Sequence, residues 1–161
     1  MAAKPAIRLM TALTILMLIT VTSLAGVRGQ EEGGDEVGKW LEWAKIAWSY
    51  FDPGVGVNPD TGLSRASRYW SFTTDWDLGG YIIAIILAER MGILAIEGDW
   101  GAEDRLEKVL HFLETRKLTP YGIPAWCYST ENGEPRKGGS TNVSDFGRLL
   151  IALYLSLIHI S

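Results

Sequence analysis

Between Glu36 and Phe51, apolar residues recur at spacings of three and four, at Val37, Trp40, Leu41, Ala44, Ala47, Trp48 and Phe51, with Lys39, Glu42 and Lys45 on the other side. That period predicts an amphipathic helix burying one stripe. Asp52-Pro53-Gly54 ends it, and Asn58-Pro59-Asp60-Thr61-Gly62 carries strong turn chemistry. A second helix is predicted from Asp75 to about Met91. From Leu78 to Ala88 it has no charge and almost no polar side, so it needs cover all round, and Gly92 suits its C-terminal cap. A third, from Ala102 to about Arg116, is one-sided again, with Leu106, Val109, Leu110 and Leu113 opposite Glu103, Asp104, Glu107, Lys108 and Glu114. A fourth opens near Ser144 and is apolar on all sides through Phe146, Leu149, Leu150, Ile151, Ala152, Leu153 and Tyr154. Between the third and fourth, Ile123 to Tyr128 and the Asn132-Gly133 turn predict a short irregular hairpin, followed by a basic, glycine-rich loop from Arg136 to Ser140.

One-sided helices thus alternate with helices that need cover all round. The fold class that follows is all-α: part of an α/α toroid of about four helices, amphipathic ones outside, apolar ones inside, with long loops on one face. A four-helix bundle competes, but it would give every helix a similar stripe. A repeat supports the ring. Thr73, Asp77, Gly79, Ile83 and Ala84 recur 68 residues later as Thr141, Asp145, Gly147, Ile151 and Ala152, and such periodicity marks stacked or ringed units.

Residues 1–25 have the layout of a secretory signal: Lys4 and Arg8, an apolar run from Leu9 to Leu24, and the small-x-small site Ser23-Leu24-Ala25. An uncleaved membrane anchor is the other reading of this run. Either places the remainder outside the cell or in the envelope. Residues 26–35 read as a linker and 36–154 as the N-terminal part of the toroid domain. Leu155 to Ser161 matches the translation of a sequencing-library adapter, so this stretch is expected to be a scar and the chain a fragment.

Setting Lys4 and Arg8 aside leaves 13 basic against 19 acidic residues, a net charge of −6, which disfavours nucleic acid or an anionic membrane as partner. A membrane contact is expected only through residues 1–25, if they are retained. The single cysteine, Cys127, cannot form an internal disulfide. No Cys/His cluster points to zinc, and no metal or cofactor is expected. His111 and His159 are too few and badly placed for a nucleophilic triad. Seven tryptophans exceed what a core this small needs, and flat exposed indoles suit a sugar-binding cleft.

Asp75 and Asp77 are the candidate catalytic acids, two carboxyl groups that stand where an inner helix meets the loop face. Thr74 and Asn142 are both good N-caps with Asp77 and Asp145 three residues on, a capping-box spacing that makes Asp77 a poor proton donor and gives both aspartates a structural reading. Asp75 aligns with Val143, so the repeat itself does not require its carboxylate. Trp76, Tyr121, Trp126 and Tyr128, with Asp145, are the candidate substrate-binding residues; packing between loops and helix ends is the competing role. Gly79, Gly80 and Gly147 weaken helices and are expected to allow close approach of the inner pair.

Trp48-Ser49-Tyr50-Phe51, Asn58-Pro59-Asp60-Thr61-Gly62, Thr73-Thr74-Asp75-Trp76-Asp77-Leu78-Gly79-Gly80, Gly122-Ile123-Pro124 and Asn142-Val143-Ser144-Asp145-Phe146-Gly147 together resemble an exported domain of unknown function found in archaea and bacteria. That domain is similar to the glucoamylase-like (α/α)6 toroids of glucan-active enzymes, including the toroid of cyclic β-1,2-glucan synthases. The resemblance implies activity on the glycosidic bonds of a polysaccharide, as a glycoside hydrolase or related enzyme, and supplies no catalytic pair. The alternative is a non-catalytic protein of the envelope, glycan-binding or structural, with a poly- or oligosaccharide as partner in the first case.

Overall fold

A computed structural model of the protein describes residues 35–159. The segment expected to direct export, most of the expected linker and the last two residues of the expected scar lie outside the described residues. Two compact units divide between Trp43 and Ala44. In the first, residues 35–43 are helical, with Trp40 edge-on to Trp43 at 4.9 Å and Lys39 over the Trp43 ring. In the second unit, α1 spans 44–48 and tightens into a 3-10 turn, Ser49–Phe51. The predicted stripe is only partly used: Ala44, Trp48 and Phe51 are half-buried there, and in the first unit Leu41 is half-buried whereas Val37 and Trp40 are exposed.

In the second unit, α2 (Asp75–Arg90) is the central element, with α4 (Val143–His159) and α3 (Ala102–Thr115) packed on it. Leu78, Tyr81, Ile82, Ile85, Ile86 and Ala88 are buried, while Ile83 and Ala84 are half-buried and Leu87 is 50% exposed, so the cover expected all round is broad without being complete. Thr74 closes a reciprocal capping box: its hydroxyl accepts from the Asp77 amide at 3.3 Å, and its own amide donates to Asp77 Oδ2 at 3.0 Å. At the other end Gly92, at φ 68°, donates to Glu89 while Ile93 donates to Ala88, the paired bonds of a Schellman cap.

On α3 the buried face is Ala102, Arg105, Leu106, Val109 and Phe112, turned away from the expected stripe so that Leu110 is 39% exposed. Two residues rotate it. Phe112 packs edge-on to Tyr128 at 5.2 Å. Arg105 donates to the carbonyls of Trp100 and Phe51 and to the Tyr81 hydroxyl, at 2.7, 2.8 and 2.9 Å, between the Trp48 and Trp100 rings. A buried guanidinium with three oxygen acceptors and two aromatic faces is satisfied without a carboxylate.

Helix α4 departs from expectation. It is apolar all round, yet only Leu149, Ala152 and Ser156 are buried, while Leu150, Ile151, Tyr154 and Leu157 are 50–71% exposed. The helix is regular through the segment expected to be a scar, up to His159. Among the described residues no helix is long and apolar enough to cross a membrane. The leading turns of α2 and α4 lie side by side. A Cβ at Gly79 would come within 3.1 Å of the Arg148 and Leu149 backbone, so Gly79 permits the approach, whereas Gly147 has nothing within 4 Å and Gly80 faces only the Arg148 guanidinium tip.

Candidate functional site

At the end where α2 begins and α3 finishes, loops form a small irregular β substructure. Strand β1 (Phe72–Thr73) pairs antiparallel with β2 (Tyr128–Ser129), a partnership too short for periodicity to reveal. The expected hairpin is present: β2 folds back through Gly133, at φ 70°, so that Ser129 donates to Glu134 and Arg136 to Cys127. Trp126 donates to Gly139, and Thr141 to Pro124, binding the glycine-rich loop alongside.

The register of β1 and β2 puts Thr73, Tyr128 and Thr130 on one buried face. Tyr128 is a scaffold residue there. Its hydroxyl accepts from the Ala125 amide at 2.8 Å and donates to the Lys117 carbonyl at 2.9 Å, stitching the post-α3 loop to β2. Burial pushes the Tyr128 hydroxyl above its ordinary pKa; the Ala125 hydrogen bond and Arg116 oppose this, and Asp75 adds to it. At 1% exposure its ring cannot stack on a sugar, contrary to expectation.

Asp75 is also enclosed. It is 1% exposed and its Oδ1 accepts from Arg116 Nη1 at 2.5 Å, joining the start of α2 to the end of α3 across 41 residues. Its Oδ2 is buried with no hydrogen-bond partner, as are the Thr73 and Thr130 hydroxyls. Asp77 is engaged in the capping box. Asp145 stands half-buried in the first turn of α4, where its amide donates to Asn142 Oδ1 at 2.9 Å, the matching cap of the second repeat.

The aromatic candidates divide differently. Tyr121 is 88% exposed, Trp76 47% and Trp126 42%. Trp126 leans on Trp70 at 5.9 Å, and Arg148 lies over Trp76 at 4.2 Å. Beside Trp126, the loops of residues 118–125 and 135–140 enclose a cleft of 380 Å³. Leu118, Pro120, Tyr121 and Pro135 give it apolar walls, and its charged side chains are Arg136 and Lys137. No carboxylate lines it. Sequence reasoning registered the basic loop but assigned it no role; an exposed Arg-Lys pair preceding two glycines was the available signal. Among the described residues no three His, Cys, Asp or Glu side chains gather as a metal site requires.

These features describe a mostly helical domain with an aromatic, basic cleft on its loop end. The chain belongs to the family DUF3131, a protein family of unknown function, whose profile matches residues 42–158. Comparison with curated proteins finds no match, and neither does comparison with solved structures.

Proposed function

We propose that this chain is the leading part of an exported α/α toroid, of the glucoamylase-like kind, that binds a poly- or oligosaccharide at its loop end. Export rests on residues 1–25, outside the described residues. The toroid reading is supported by the alternation of helix types, by the adjacent leading turns of α2 and α4 with matching caps, and by the uncovered apolar side of α4, where a ring would seat another helix. The carrying observation for binding is the exposed ring of Tyr121 in a 380 Å³ cleft, next to which the half-exposed Trp126 is bonded through its backbone to Gly139 of the lining. An aromatic face beside apolar walls matches the C–H face of a pyranose, and it needs no carboxylate.

Hydrolysis of glycosidic bonds is the second reading, and one observation favours it: Asp75 Oδ2 is unpartnered, as an acid awaiting a substrate oxygen would be. Against it, two carboxyl groups would have to stand roughly 5 to 9.5 Å apart across the scissile bond, and the cleft has none. Affinity electrophoresis of the full chain through gels containing different polysaccharides tests binding. Retardation by at least one gel, lost in Tyr121→Ala and Trp126→Ala, is expected. Retardation unchanged in both variants refutes the cleft as the binding site. Product release that disappears in Asp75→Asn while binding persists would move the conclusion to the second reading.

A further inference from the structure

We infer that the cleft between residues 118–125 and 135–140 takes an acidic polysaccharide, one whose sugar rings bear carboxylate or sulfate groups. This rests on the glycan-binding reading and sharpens its ligand class. Arg136 and Lys137 are the charged residues of the cleft, and neither belongs to the three ion pairs found among the described residues. The adjacent acid is already engaged, since Glu134 holds Lys117 at 2.5 and 2.8 Å. In a chain of net charge −4, a cleft whose charge is wholly positive runs against the composition.

The local geometry suits an oxyanion. Arg136 is anchored through its backbone amide, which donates to Cys127 at 3.0 Å, and its guanidinium rests over the Phe72 ring at 5.3 Å. Stacking of that kind leaves the planar fork of N–H donors open, the fork that meets carboxylate or sulfate in two parallel bonds. The backbone amides of residues 137–140 donate to no carbonyl among the described hydrogen bonds. Tyr121 and Pro120 supply an apolar wall for the sugar ring itself. Nucleic acid fits less well. Its affinity grows with the number of phosphates neutralised, and this cleft offers two cations on a net acidic protein.

The test is a fluorescence titration of the full chain with matched pairs: polygalacturonate against its fully methyl-esterified form, dextran sulfate against dextran, and a single-stranded oligonucleotide. The charged member of at least one pair should bind about tenfold tighter than its neutral partner, and which pair responds separates carboxylate from sulfate. Arg136→Gln and Lys137→Gln should each weaken that binding about fivefold, the scale of a single partly exposed charge contact. Lys45→Gln, which removes the same charge outside the cleft, should have no effect. Lys137 is exposed and belongs to no ion pair among the described residues, so its variant should fold even if Arg136→Gln melts early. Equal affinity for charged and neutral partners, indifference to both substitutions, or tighter binding of the oligonucleotide would overturn the inference. The first of these leaves glycan binding intact, whereas no binding to any saccharide removes both.

Discussion

The sequence favours Asp75 over Asp77 for proton transfer, but the surroundings of Asp75 make a different forecast about what happens when its charge is removed. The carboxylate and the Arg116 guanidinium are 1% and 7% exposed. At an effective dielectric near 20, two unit charges about 4 Å apart attract by about 4 kcal/mol, partly offset by the cost of desolvating both. Deleting one partner exposes that cost without the attraction, typically about 3 to 5 kcal/mol. Arg116→Met leaves the Asp75 carboxylate buried with both oxygens bare and should fall in that range. Asp75→Asn keeps an acceptor for Arg116 and should lose about 2 to 3 kcal/mol, nearer the worth of one charged hydrogen bond. The double variant should cost less than the two losses together, with a coupling of about 2 kcal/mol.

Urea unfolding followed by tryptophan emission measures all four corners of this cycle, since the transition midpoint moves with stability while the slope reports any change in exposed surface. Urea, unlike guanidinium, leaves the ion pair unscreened. A carboxylate held in reserve for chemistry behaves otherwise: its removal is neutral or stabilising, because active sites commonly sacrifice stability. An Asp75→Asn protein as stable as the parent, or a coupling under about 0.5 kcal/mol, refutes the structural role and returns Asp75 to the list of catalytic candidates.

Two further outcomes follow from the packing. Gly79→Ala should destabilise by about 1 to 2 kcal/mol, because overpacking against the Arg148 and Leu149 backbone outweighs the gain in helix propensity. Gly147→Ala, with open space around it, should stabilise by up to about 1 kcal/mol; opposite signs in thermal melts check the pair. Burial raises the Tyr81 hydroxyl above its ordinary 10.0, with Arg105 opposing. Above pH 10 the unfolded chain therefore releases protons that the folded chain keeps, so stability present below pH 10 should fall as pH rises toward the folded value. Tyr81→Phe should flatten that decline in urea titrations between pH 9 and 11, and an unchanged slope would contradict it.

What could be read ahead from the chain was whatever depends on neighbours in sequence. Thr74 with Asp77 and Asn142 with Asp145 are three residues apart, so their caps follow from residue type and spacing alone, and the Gly92 and Gly133 turns follow from the need for positive φ. Residues whose meaning comes from distant partners stayed hidden. Nothing in the sequence marks Arg105 as buried, because its acceptors lie 24 and 54 residues away at Tyr81 and Phe51. The Asp75–Arg116 pair spans 41 residues, and Tyr128, outwardly a stacking residue, is committed by Ala125 and Lys117 to holding the loop.

Helices α2 and α4 carry the same apolar signature, yet one is enclosed and the other is bare along Leu150, Ile151, Tyr154 and Leu157. Hydrophobicity states that a surface gains by leaving water; it does not state what will cover it. For α2 the cover is α3, α4 and the loops around β1. For α4 the main packing partner among the described elements is α2, and monomeric proteins rarely leave several large aliphatic side chains contiguous in water. The side of α4 that is covered was chosen by Gly79, whose missing Cβ lets Arg148 and Leu149 approach α2. That contact fixes the rotation of α4 and so determines which apolar residues point outward. Were α4 turned by about 100°, one residue step around a helix, Leu150 would replace Leu149 against Gly79, and a different set of apolar residues would face outward.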